Sequence, residues 1–329
     1  MTSIYSKAEL VIAWLGPAYN DSDLAVEYIS TVSNSSYSLS ILFDQPLPRN
    51  RYAVREFFMR PYWYRLWIVQ EITQSNKVTF VCGQKQLSKN VLQSFMNDQH
   101  YFYILSTKMG NDNFPPLVSR SVIALFQKPI AIRRRRILAR SDYTDKIVLI
   151  LPDTNMIPEA LTREVYTYCD HQCVDARDKI YGVLGLVDNI TDELKVDYKK
   201  SAAVVFWDFL QLSLLTIDPQ NLESIWRHNG TEINIAMAEL LDGWFHIMFR
   251  VLTHMDLLTS TLLEETAKEL DRTLEKLSAS ILMSRLHEGD EFSRCRPLLG
   301  MDMYHAVQSE ISRCIQNVKL GELDRGNPR

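Results

Sequence analysis

A chain of 329 residues with 46% apolar side chains can build about two domains with real cores. Its 36 Lys plus Arg against 40 Asp plus Glu leave a net charge of -4, which excludes a global field drawing it to nucleic acid or an anionic membrane. Five scattered cysteines exclude a disulfide scaffold and point to a reducing compartment, while 11 glycines, about half the usual ~7%, disfavour phosphate-cradling loops and favour helix.

The start, Met1 to Gly16, lacks the basic, apolar and small-residue parts of a secretory leader, and no run approaches the ~18 apolar residues of a membrane span. A cytoplasmic protein is expected, in which the sequons at Asn34, Asn189 and Asn229 mean little. Leu10 to Leu15 (LVIAWL), closed by Gly16-Pro17, predicts a short strand buried on both faces, as in a parallel α/β layer. Asp21 or Ser22 caps a predicted helix with Ala25, Tyr28, Ile29 and Val32 on one face. Tyr52 to Met59 reads as helix until Arg60-Pro61 breaks it, and a second helix is predicted from about Trp63 to Gln74.

Lys77 to Cys82 (KVTFVC), ended by Gly83, predicts the second strand, and Ser88 caps a helix carrying Val91, Leu92, Phe95 and Met96. Two strands are too few for a stable sheet, so more are expected to complete the layer. Residues 100–170 are less regular, with the basic run Arg133 to Arg136 and an ambiguous strand or helix at Lys146 to Leu151. Helices are predicted for Asp175 to Val187, with Asp175 as cap and Asp178 in the first turn, for Ser201 to Ile217, and for roughly Leu257 to Leu286.

Cys169, His171 and Cys173 are metal ligands by type, but a structural zinc site needs four and usually a second close pair, so no metal is expected. Gly182 and Gly185 lack the further glycine or Lys-Ser/Thr of a phosphate loop. Arg133 to Arg136 lack interleaved aromatics and read as a solvated face rather than a nucleic-acid site. Phe57 to Glu71 (FFMRPYWYRLWIVQE) is denser. With Trp67 inward, Glu71 one turn on lies at the edge of the core, where a carboxylate is either paired, with Arg60 or Arg65, or functional.

Three stretches resemble the heterokaryon-incompatibility (HET) domain of filamentous fungi: Ile4-Tyr5-Ser6-Lys7-Ala8 through Trp14-Leu15-Gly16, then Arg60-Pro61-Tyr62-Trp63 with Arg65-Leu66-Trp67-Ile68-Val69-Gln70-Glu71, then Asp175-Ala176-Arg177-Asp178-Lys179-Ile180-Tyr181-Gly182. The resemblance implies a partial HET domain over residues 1–198, α/β over 1–100 and helical or irregular over 101–198, then a helical region over 199–329. The family's upstream S-Y-x-W-G and L-W-I-D motifs do not occur, so the expectation is a domain lacking its first strands. The family further resembles TIR domains, which implies a partial flavodoxin-like parallel sheet with flanking helices.

The resemblance implies a role in non-self recognition and programmed cell death after hyphal fusion, as an interaction module whose partner is another protein or a second copy. It makes Trp14, Gly16, Arg60, Pro61, Arg65, Trp67, Gln70, Asp175, Arg177, Asp178, Tyr181 and Gly182 motif residues. It also offers an alternative, a TIR-like NAD glycohydrolase in which Glu71 stabilises positive charge on the ribose, with NAD as substrate and no resident cofactor. A third reading is an inactive remnant or incomplete gene model.

Overall fold

In the computed structural model, which describes residues 2–34, 48–97, 118, 120–126, 157–187, 194–214, 233–288 and 301–325, the first apolar run forms strand β1 (Val11–Trp14) and the second forms β2 (Val78–Cys82). They pair in parallel, Val11 opposite Val78 and Trp14 opposite Val81. A third strand, β3 (Lys85–Ser88), pairs antiparallel with β2, giving the order β1-β2-β3. Sequence periodicity misses β3 because it is polar but for Leu87. What makes it a hairpin is Gly83, whose φ of +56° few other residues adopt and whose absent Cβ would stand 2.8 Å from that of Ala18.

The described residues fall into two compact units, each taken by itself: Met1–Ile132 with Asp170–Val174 and Gly182–Asp188, and Arg133–Cys169 with Asp175–Tyr181 and Asn189–Arg329. In the first, the sheet has one covered face. Ala13, Leu15, Val78, Phe80, Cys82 and Leu87 are buried on it. Trp63, fully buried, stacks on Phe80 with ring centroids 5.4 Å apart and touches Phe57, Phe58 and Phe126. Helices α1 (Thr2–Lys7), α2 (Ser22–Asn34), α3 (Pro48–Phe58), α4 (Ile68–Thr73) and α5 (Arg120–Ala124), with helical residues 89–97, complete the unit. The predicted apolar faces hold: Ala25, Ile29, Val32, Leu92, Phe95 and Met96 are all buried.

Two expectations change here. β1 was predicted to be buried on both faces, yet Ile12 and Trp14 are 66% and 55% exposed, because no described element covers that side. The helix predicted from Trp63 to Gln74 is two pieces, a 3-10 turn over Pro61–Tyr64 and α4 from Ile68. Between them Arg65 and Leu66 are extended enough to bond residue 172, Leu66 N–H donating to the Gln172 carbonyl at 2.9 Å.

The second unit is helical: α6 (Ile157–Tyr168), α7 (Asp178–Tyr181), α8 (Ala202–Leu214), α9 (Ile233–His254), α10 (Ser260–Glu288) and α11 (Met301–Arg325). The predicted helix over 175–187 shrinks to α7 and a 3-10 turn at Leu184–Leu186. Val205, Phe209 and Leu212 of α8 and Leu263, Leu270 and Leu274 of α10, at helical spacing in the two predicted helices, are buried. α9 and α11 were not predicted, and they pack against each other and against α10. The carboxylate of Glu322 on α11 accepts from the Ser260 N–H at 2.9 Å and hydroxyl at 2.6 Å, capping α10. The fold is thus mostly helical with a small mixed sheet. Arg133 to Arg136, Lys146 to Leu151 and the side chains of Leu277 and Ile281 lie outside the described residues. No helix among those described is long and apolar enough to cross a membrane.

Candidate functional site

The motif residues gather at three places. The first is the loop that leaves β1. Arg60 is 1% exposed, and its guanidinium donates to the carbonyls of Leu15 and Pro17 at 2.9 Å each and of Tyr19 at 3.3 Å, while lying 4.0 Å over the Tyr19 ring. Gly16, with φ of +101°, lets the chain turn over it, and Gly83 donates to the Gly16 carbonyl at 2.9 Å. No carboxylate among the described residues pairs with Arg60. Its charge is met by carbonyl dipoles and a π face, an arrangement only the planar five-donor group can make. Pro61 then opens the 3-10 turn that buries Trp63, whose indole N–H donates to the Phe57 carbonyl at 2.9 Å.

The second place is α4. Glu71 is half-buried and does not pair with Arg60 or Arg65, as its position one turn after Trp67 had led us to expect. It accepts from the Tyr62 hydroxyl at 3.1 Å and, more weakly, from that of Tyr5 at 3.5 Å. Burial first, and then the Glu71 charge, raise both phenols above their ordinary pKa, so they stay protonated as donors. Arg65 is exposed, 5.9 Å from the Tyr62 ring, and Trp67 is half-exposed because it precedes α4 rather than continuing a helix from Trp63. Gln70 is buried and donates to the Gly182 carbonyl at 2.7 Å, joining two motif stretches 112 residues apart, and Gln74 repeats the bond to the Gly185 carbonyl at 2.9 Å.

The third place, in the second unit, is an internal scaffold. Asp175 and Arg177 form a two-pronged ion pair at 2.8 and 2.5 Å, and the same carboxylate accepts the Arg177 backbone N–H at 3.0 Å. Arg177 also donates to the carbonyls of Tyr198 and Lys200. The Tyr198 hydroxyl donates to buried Asp178 at 2.6 Å, and Tyr181 packs edge-on against Tyr198. The side-chain hydrogen bonds from Arg177 hold the Asp175 carboxyl below its usual range. This is how a D-x-R-D turn closes on residues 197–200. Tyr19 was not singled out in the sequence, and Tyr5 and Tyr198 drew notice only as members of family-like stretches, with no role of their own. Their signal is chemical: each tyrosine stands opposite a charged motif residue.

Among the described residues no group of three or more His, Cys, Asp or Glu is placed to hold a metal. What remains open is the far side of the sheet. Ile12 and Trp14, with Leu10 at 49% exposure, form an apolar row beside Thr79 and Val81 of β2 and Gln86 and Ser88 of β3. Among the described residues β1 has a strand on one side only.

Residues 1–71 match the family described as Heterokaryon incompatibility protein (HET), a span that begins ahead of β1 and ends on Glu71. The chain is also 22% identical over 239 residues to Heterokaryon incompatibility protein 6, OR allele, of Neurospora crassa, an alignment taking in 62% of this chain and 34% of the relative. The chain thus spans about a third of the length of the curated relative it matches. No solved structure matches it.

Proposed function

We propose that this chain, whose residues 1–71 match the HET family, acts in heterokaryon incompatibility as an interaction module, docking a protein partner on the outer edge and open face of β1. The observation that carries this is the exposure of Ile12 and Trp14 on an edge strand that has none of the usual guards: no charge, bulge or proline from Leu10 to Gly16. The parallel β1–β2 pair with helices α2 to α4 between its strands supports, as part of the proposal, a TIR-like α/β layer.

The test is expression in a filamentous fungus, scoring growth arrest and death of fused hyphae. Trp14→Asp is expected to fold normally, because its side chain is exposed, and to abolish the response. An undiminished response from the folded variant sinks the proposal.

A second reading, NAD cleavage, rests on Glu71, whose carboxylate is fixed by two protonated phenols rather than by a cation. It predicts that the purified protein releases nicotinamide from NAD and that Glu71→Gln stops this. Equal turnover by wild type and variant, or none by either, rejects it. Ser75, whose hydroxyl donates to the Tyr5 carbonyl, and Tyr5 itself both lie just ahead of strands. Glu71 therefore stands toward the amino ends of the strands, away from the carboxyl ends where parallel sheets bind nucleotides. The first reading is accordingly the conclusion.

A further inference from the structure

Resting on the interaction reading above, we infer that the occupant of the β1 edge is a second copy of this chain, paired antiparallel about a two-fold axis through Ile12. The hydrogen bonds to β2 decide which backbone groups are free. Val11 N–H donates to the Lys77 carbonyl at 3.0 Å and Leu15 N–H to the Val81 carbonyl at 2.8 Å. The odd-numbered residues of β1 therefore turn their N–H and C=O groups inward, and those of Leu10, Ile12 and Trp14 point to the outer edge. These are also the three whose side chains lie on the open face.

That coincidence makes the strand self-complementary. With Ile12 opposite the second copy's Ile12, Leu10 falls opposite Trp14 and Trp14 opposite Leu10. Every outward backbone group then meets an outward group, giving antiparallel hydrogen-bonded pairs. In the same register each exposed apolar side chain meets another on the same face, the aromatic–aliphatic pairing that stabilises sheets. A shift by one residue would set outward groups against inward ones, so it is excluded. The flank does not oppose the register: Glu9 falls opposite the apolar Leu15, so no like charges face each other. Pro17, which has no N–H, ends the pairing beyond Gly16.

The result is one sheet of six strands, with order β3-β2-β1-β1-β2-β3 and both covered faces on the same side. Three partly exposed side chains and a short strand per copy bury on the order of 600–800 Å² in total, below the ~1,200 Å² of a stable interface. The pair is therefore weak and concentration-dependent, suited to a response that begins when local concentration rises.

The test uses the full chain. Sedimentation from about 1 to 200 μM is expected to show a monomer–dimer shift, and Ile12→Lys to remove it while leaving the melting temperature unchanged. Ile12→Cys should form a disulfide-linked dimer under mild oxidation at least tenfold faster than Gln86→Cys. Both sites are exposed on the open face, but only the first lies on the axis, with Cα atoms ~5.5 Å apart. A wild type that stays monomeric throughout, or equal rates from the two cysteine variants, overturns the pairing. If the wild type is monomeric yet Trp14→Asp still silences the hyphal response, self-pairing fails and the interaction reading survives. If the dimer forms and Trp14→Asp leaves the response intact, the interaction reading fails instead.

Discussion

The two faces of the small sheet have the same kind of sequence and opposite fates. Ala13 and Leu15 alternate with Ile12 and Trp14 along one strand, all four apolar, and only the first two are buried. The covered face is filled by aromatic rings arranged around Trp63, and the open face ends at the strand itself. An apolar run shorter than a helix turn or two therefore tells that a strand is present, but not how many of its faces are covered. The coverage depends on elements far away in the chain.

Substitutions can widen or erase that contrast. The largest effect is expected at Trp63, where truncation to Ala empties the centre of the covered face and should lower stability by about 4 kcal/mol in urea unfolding. Arg60→Lys comes next. One ammonium cannot reach three carbonyls and stack on Tyr19, so a loss of about 3 kcal/mol is expected, with faster amide exchange across residues 15–19. Gln70→Leu removes the donor to the Gly182 carbonyl inside the core and should cost about 1–2 kcal/mol, read as increased exchange near residue 182.

Acid is the next probe, and it acts on the second unit. The Asp175 pKa lies below its ordinary 3.8 in the folded chain, so its contribution to stability is complete above that value and is lost as pH falls through the lowered one. Thermal melts between pH 5 and pH 2 should show Asp175→Asn converging with the wild type at the acid end. The smallest effect is expected at Trp14, where Ala should change stability by less than about 0.5 kcal/mol, against the ~4 kcal/mol for Trp63. A large loss at Trp14 would mean that its face is covered after all.

Both main strands, the break at Arg60-Pro61 and the apolar stripes of α2, α8 and α10 were legible because each rests on local periodicity or on proline geometry. β3 was not, since Lys85, Gln86 and Ser88 have no strand character of their own and are held by the hairpin that Gly83 permits. α9 does carry a stripe, with Leu241, Trp244, Phe245, Met248, Val251 and Leu252 buried at i, i+3, i+4, i+7, i+10 and i+11, and the sequence reading passed over it. The candidate site was legible as a list of residues but not as pairings. Trp67 and Glu71 do lie one helical turn apart, Glu71 N–H donating to the Trp67 carbonyl at 3.2 Å, but Trp67 stays half-exposed and it is Trp63, ahead of the extended turn at Arg65-Leu66, that fills the core. The buried arginine found carbonyls instead of a carboxylate, a solution that only the folded loop reveals.

The pairing of β1 with β2 also sets an order of events during synthesis. Val11 cannot meet Val78 until 67 further residues have been made, whereas β2 and β3 are joined by a tight turn and close at once. At ~5–20 residues per second the segment Leu10–Leu15 waits roughly 3–13 s on the nascent chain with both edges and both faces bare. The β1–β2 pairing is thus the costly loop closure of this sheet, spanning 67 residues where the β2–β3 hairpin spans a tight turn.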